Sequence, residues 1–190
     1  MFQPPFAERR PVVREAVEWA ARMHADQRRS LDRAPFLLHP LEVASLLNGR
    51  GFDDEVLAAG ILHDIVENTT VTVADVASRF GERVAAIVDA VSEDPSIEDY
   101  AARKAALRER ARAGGIAARA VYAADKVAKA RELRSQAAGD PSMLSNAQNL
   151  RKLEHYEQSL AMLVEAGDGQ PMVDQLAFEL WALRALPPEH

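Results

Sequence analysis

Apolar residues in this chain recur three and four positions apart almost everywhere, and no segment alternates β-branched with polar residues between turn signals. That periodicity predicts an all-α fold, a helical bundle of about eight or nine helices. Pro11 stands at a helix start, with Val13, Ala16, Val17, Ala20 and Met23 in one stripe below it. Gly49 and Gly51 suit the left-handed end of a helix through Leu41, Ala44 and Leu47. Asp53 or Asp54 caps a helix predicted to run unbroken through DDEVLAAGILHDIVEN. Thr72 with Asp75, and Ser96 with Asp99, read as capping boxes; the second opens SIEDYAARKAALRERARA, whose basic residues suit a solvated face. A long helix follows from Ile116, another runs through Leu150 and Leu160 to Gly167, and Pro171 opens the last.

Composition narrows the chemistry. Apolar residues make up 48% and charged residues 27% of the 190, which suits a globular unit with a real core. A net charge of -6 argues against general nucleic-acid binding, which rests on cations neutralising phosphates. With no cysteine, any metal must be held by His, Asp or Glu. No signal-like segment or apolar run of about 18 residues appears, so a cytoplasmic protein with no membrane partner is the expectation. The stripes LRKLEHYEQSLAML and FELWALRAL serve the core or an interface in a homo-oligomer.

The stretch ILHDIVENTT carries the main question. On a helix Glu67 lies three and four positions from Asp64 and His63, so one face gathers three potential ligands or proton carriers among Ile61, Leu62, Ile65 and Val66. Buried carboxylates are unfavourable unless paired or bound to metal. A His-Asp dipeptide alone reads more simply as a core histidine beside a salt-bridge acid. Spacing alone nominates neither His39, before Pro40, nor Asp125, in AADK.

Taken together with HADQRRS (24-30), PFLLHP (35-40), ILHDIVENT (61-69), FGERV (80-84) and ADKVAKAR (124-131), the chain resembles the HD-domain metal-dependent phosphohydrolases. It is most similar to their alarmone hydrolase branch, the hydrolase domain of RelA/SpoT proteins and the stand-alone small hydrolases of the metazoan type. Order and spacing agree across about residues 11-165. The resemblance implies one HD domain over 1-190, with C-terminal helices at 142-186 packed on the motif-bearing core. It further implies His39, His63, Asp64 and Asp125 as metal ligands, for Mn²⁺ in this branch, although the N and O donors also suit Fe, Zn or Mg. Glu67 matches the acid that serves the attacking water, and Arg29 the arginine that meets the nucleotide. The implied reaction is hydrolysis of guanosine 3′,5′-bis(diphosphate)-type alarmones to pyrophosphate and GDP or GTP.

Departures from the branch pattern fall on the substrate side. Asn68 replaces an Asp that the branch places after Glu67, keeping its shape but neither its charge nor its basicity. Ser30 stands for Lys, and Lys129 for Asn; Lys126 and Arg131 join Arg29, Ser30 and Lys129 as candidate substrate contacts. Taken singly, those cations read as surface charges. Two alternatives accompany the alarmone reading: an HD phosphohydrolase for another phosphorylated nucleotide or cofactor, and a catalytically weakened module that binds metal and nucleotide. His24 and His155 read as structural, and His190 has no inferred task.

Overall fold

The computed structural model describes residues 3-29, 32-167 and 171-185; Ser30 and His190 lie outside them. After a 3₁₀ turn at Pro5–Ala7 come α1 (Pro11–Met23), α2 (Leu38–Asn48), α3 (Asp54–Leu62), α4 (Ile65–Asn68), α5 (Val73–Phe80) and α6 (Glu82–Val91). Then follow α7 (Tyr100–Ala113), α8 (Gly115–Gly139), a 3₁₀ turn at Pro141–Ser145, α9 (Ala147–Glu165) and α10 (Pro171–Arg184). Among the described residues the only extended pairing is an isolated bridge between Arg28 and Pro35. The fold is all-α.

Local signals act as the residue types predict. Pro11 opens α1, and Asp53 accepts from Val56 N–H to cap α3. Thr72 and Asp75 form a reciprocal capping box on α5. Asp99 alone caps α7, because Ser96 instead turns back onto Asp94 Oδ1. Gly81, at φ 89, makes the sharp change of direction between α5 and α6 that a side chain would strain.

The single helix expected over DDEVLAAGILHDIVEN is two. His63 Nδ1 takes the Gly60 carbonyl at 2.8 Å, and Asp64 adopts φ -94, ψ 0, so the chain turns between α3 and α4. The break aims His63 and Asp64 inward and leaves Glu67 and Asn68 on the outer side of the next turn.

Helix α8 is the spine of the bundle, packing against α2, α3, α6, α7, α9 and α10. Its buried face is rich in small residues (Ala120, Ala123, Ala124, Ala128 and Ala130), which lets neighbouring helices approach closely. Close approach is sharper still between α2 and α3, where a Cβ on Gly60 would lie 2.6 Å from Leu47 Cδ1. Val43, Leu47, Leu57, Ile61, Leu62 and Ile65 are fully buried around this contact. It holds His39 on α2 beside His63, the residue that ends α3. Among the described residues no helix is long and apolar enough to cross a membrane.

Candidate metal centre

Three helices deliver four side chains to one buried point: His39 from α2, His63 and Asp64 from the turn between α3 and α4, and Asp125 from the middle of α8. All four are at most 6% exposed. His39 Nε2 lies 3.0 Å from Asp125 Oδ1 and 3.6 Å from Asp64 Oδ2. His63 Nε2 lies 3.2 Å from Asp64 Oδ2 and 3.4 Å from Asp125 Oδ1. The donor atoms of His39, His63 and Asp125 fall within 4.8 Å of one another, with Asp64 flanking both imidazoles from beside that set.

The chemistry of the donors fits a divalent cation. Because the Gly60 carbonyl can only accept, His63 Nδ1 carries a hydrogen, and Nε2, which faces the cluster, becomes the lone-pair donor once a bound cation takes the place of its proton. That buried Nε2 has no hydrogen-bond partner. Burial opposes charge on His63, but Asp64 and Asp125 prevail and raise its pKa to about 10. A cation placed between the imidazoles and carboxylates answers the same two negative charges.

Lysines complete the electrostatics of Asp125. Lys126 Nζ donates to Asp125 Oδ2 at 2.6 Å and sits 4.5 Å over the Tyr122 ring; Lys129 Nζ pairs with Oδ1 at 2.9 Å. Although burial opposes ionisation of Asp125, Lys126 and Lys129 hold its carboxyl well below the usual range. Lys126 is almost wholly enclosed, whereas Lys129 stays partly open and lines a cleft with Lys152 and Tyr156.

The remaining sequence candidates divide. Glu67 and Asn68 border a cleft of about 400 Å³ with Val66, Glu93, Pro95 and Arg103. Glu67 reaches solvent along that cleft while its Oε1 accepts from Glu93 N–H at 2.5 Å. Burial of the carboxyl, then the Asp64 charge, raises its pKa. Arg29 pairs with Asp32 at 3.2 Å, and its Nε is buried without a partner. Gln27, two residues earlier, donates to the Asn68 carbonyl at 2.7 Å, pinning this loop beside α4. Arg131 stands apart from the cluster: its guanidinium is committed to Glu179 at 2.8 Å and Glu42 at 3.6 Å.

Several residues escape a motif reading. Lys104, Arg108 and Arg151 line a cationic pocket of about 120 Å³ with Tyr100 and His155. The expected solvated face of α7 is thus partly turned inward, with Arg103 and Lys104 paired to Glu93 and Arg108 bonded to His155. Only the acidic run SEDPSIEDY beside a basic helix hinted at such pairing.

A helical bundle that gathers two imidazoles and two carboxylates onto one buried point defines a His/Asp metal centre. The HD domain family model matches residues 16-151, and the chain belongs to the HD-domain family. Membership implies dependence on a divalent metal, which the donor set fits. Guanosine-3′,5′-bis(diphosphate) 3′-pyrophosphohydrolase of Aquifex aeolicus is 40% identical over 81 residues, 43% of this chain; the chain spans 12% of that protein's length. Guanosine-3′,5′-bis(diphosphate) 3′-pyrophosphohydrolase MESH1 of Xenopus tropicalis is 36% identical over 126 residues, covering 65% of this chain and 70% of its own. A solved metazoan ortholog of SpoT, described as hydrolysing ppGpp, superposes with TM-score 0.72 at 25% identity over 98% of this chain and 100% of its own.

Proposed function

We propose that this chain is an Mn²⁺-dependent hydrolase of guanosine 3′,5′-bis(diphosphate)-type alarmones, releasing pyrophosphate and leaving GDP or GTP. The observation that carries this reading is the buried His39, His63, Asp64 and Asp125 cluster beside the Glu67 cleft. The names and coverage of the MESH1-type relatives support the substrate class.

His39, His63, Asp64 and Asp125 would hold the metal, which when bound supplies Lewis-acid activation of a phosphoryl oxygen and of water. Lys126 fixes one oxygen of Asp125, so that the other faces the cluster. Glu67 accepts a proton from the attacking water; its raised pKa brings a carboxylate closer to working pH. Water oxygen bonds to phosphorus as the bond from phosphorus to the ribose 3′-oxygen breaks, the 3′-oxygen leaving with the electron pair and taking up a proton from solvent to become the hydroxyl of GDP or GTP. Arg29 and the partly open Lys129 meet the nucleotide and its phosphates. Lys126 and Arg131 act through protein partners instead, Lys126 on Asp125 and Arg131 on Glu179.

The test is pyrophosphate release by the full chain with Mn²⁺ from guanosine polyphosphates, set against ordinary nucleotides and phosphorylated dinucleotides. Release from the guanosine polyphosphates, abolished by chelator and by His63→Ala, is expected. Turnover confined to another nucleotide overturns the substrate, and a His63→Ala variant with unchanged metal content and activity overturns the site.

A further inference from the structure

The cleft beside the metal centre holds an acid that the hydrolytic reading does not use. Glu93 lies in the segment between α6 and α7, and its side chain is only 19% exposed. Its backbone N–H donates to Glu67 Oε1 at 2.5 Å. The same residue's carboxylate accepts from Arg103 Nε at 2.7 Å and from the Lys104 ammonium, both on α7. Arg103 also donates to the carbonyls of Ile97 at 2.8 Å and Glu98 at 3.1 Å, tying the downstream part of the segment to the same cation. On the upstream side Arg110 Nη1 donates to Ser92 O at 3.0 Å.

One residue therefore joins two walls of the cleft. Its main chain grips the acid that faces the reaction, and its side chain is clamped by two cations on a long helix. We propose that Glu93 is the positioning residue for Glu67, holding its carboxylate at the angle from which it serves the attacking water. The inference rests on the assignment of Glu67 made above. It has a second consequence: the Glu93 carboxylate occupies Arg103 and Lys104, two cations that a polyphosphate could otherwise engage. Positioning is thereby obtained at the expense of substrate affinity.

That opposition gives a signature which loss of fold does not mimic. Steady-state hydrolysis of guanosine polyphosphate by the full chain with Mn²⁺ is compared for wild type, Glu93→Ala and Glu93→Gln. Glu93→Ala is expected to lower kcat about tenfold, part of the ~10²–10⁴-fold that a placed general base supplies. KM falls severalfold in the same variant, because Arg103 and Lys104 are released to the substrate. Glu93→Gln keeps an oxygen for only one of the two cations, since Arg103 and Lys104 bind different oxygens of the carboxylate, and falls between. An unchanged kcat in Glu93→Ala overturns the proposal. So does a lost kcat accompanied by a lowered melting temperature and lost metal, which marks a merely structural role. Glu67→Gln reports on the underlying assignment separately. Full activity there removes both, whereas loss there with an unaffected Glu93→Ala removes the positioning role alone.

Discussion

Lys129 Nζ lies 2.9 Å from Asp125 Oδ1, one turn further along α8, so the oxygen that faces the metal cluster also answers to an ammonium. Burial opposes the Lys129 charge, yet Asp125 and Asp64 together raise its pKa well above that of an ordinary lysine. Lysine and metal then compete for the same electrons. Replacing Lys129 with Asn, the residue of the resembled branch, is expected to tighten Mn²⁺ binding about tenfold, the scale on which groups around metal ligands tune affinity. KM for the polyphosphate should rise as a cation leaves the cleft. Isothermal titration with Mn²⁺ checks the first effect, and weaker metal binding in Lys129→Asn would mean that the lysine supports the ligand rather than contesting it.

Asn68 closes α4 with its side chain toward solvent at the cleft that Glu67 borders. Its backbone is held independently of that side chain, by Gln27 on its carbonyl at 2.7 Å and by its own N–H on Asp64 O at 3.1 Å. Asn68→Asp therefore adds charge and basicity with little disturbance of the turn. Alarmone hydrolysis should rise about tenfold in kcat, within the range of a single proton-transfer group. No gain in a pyrophosphate-release assay would point to Ser30, Lys129 or a different substrate instead.

Helical period, Pro11, Asp53 and the Thr72–Asp75 box made most of the fold legible, because those signals are local and the structure honours them. Juxtaposition was less accessible. His63 and Asp64 could be paired by adjacency, but only the packing of α2 and α8 brings in His39 and Asp125, and it was resemblance that named them. The turn between α3 and α4 was hidden because its cause is a side-chain bond from His63 to Gly60 within an apolar run that otherwise reads as one helix. Arg131 illustrates the converse: its motif position suggested substrate, while its partners Glu179 and Glu42 lie on helices remote in sequence.

His155 gives a pH signature away from the metal. Its Nδ1 lies 3.0 Å from Arg108 Nη1, which can only donate, so the ring is neutral with its hydrogen on Nε2. Burial, reinforced by Lys126 and Lys104, pushes its pKa from 6.5 down to about 2. Between those values the unfolded chain binds the proton and the folded chain does not, so stability is full above pH 6.5 and falls as pH drops below it. Wild type should lose up to about 1.4 kcal/mol per pH unit more than His155→Gln over that acid range. Urea denaturation from about pH 7 to pH 5 measures the difference, and equal slopes would show that His155 is protonated in the fold.

The link between α10 and α8 is an ionic clamp whose two sides differ in burial. Glu179 has a side chain 3% exposed and accepts from Arg131 Nε and Arg134 Nε, each at 2.8 Å, while the two arginines are 33% and 40% exposed. Removing the acid leaves cations that water can reach; removing both cations strands a carboxylate in the interior. Glu179→Gln is accordingly expected to lower stability by about 1–2 kcal/mol, near the scale of hydrogen bonds to charged groups. The Arg131→Ala, Arg134→Ala double variant should lose about 3–5 kcal/mol, as for a buried pair stripped of its counter-charge. Because Asp125 sits on the same helix, the double variant should also bind Mn²⁺ more weakly. Chemical denaturation of both variants decides the matter, since equal losses would mean that Glu179 is solvated and that the clamp is an ordinary surface pair.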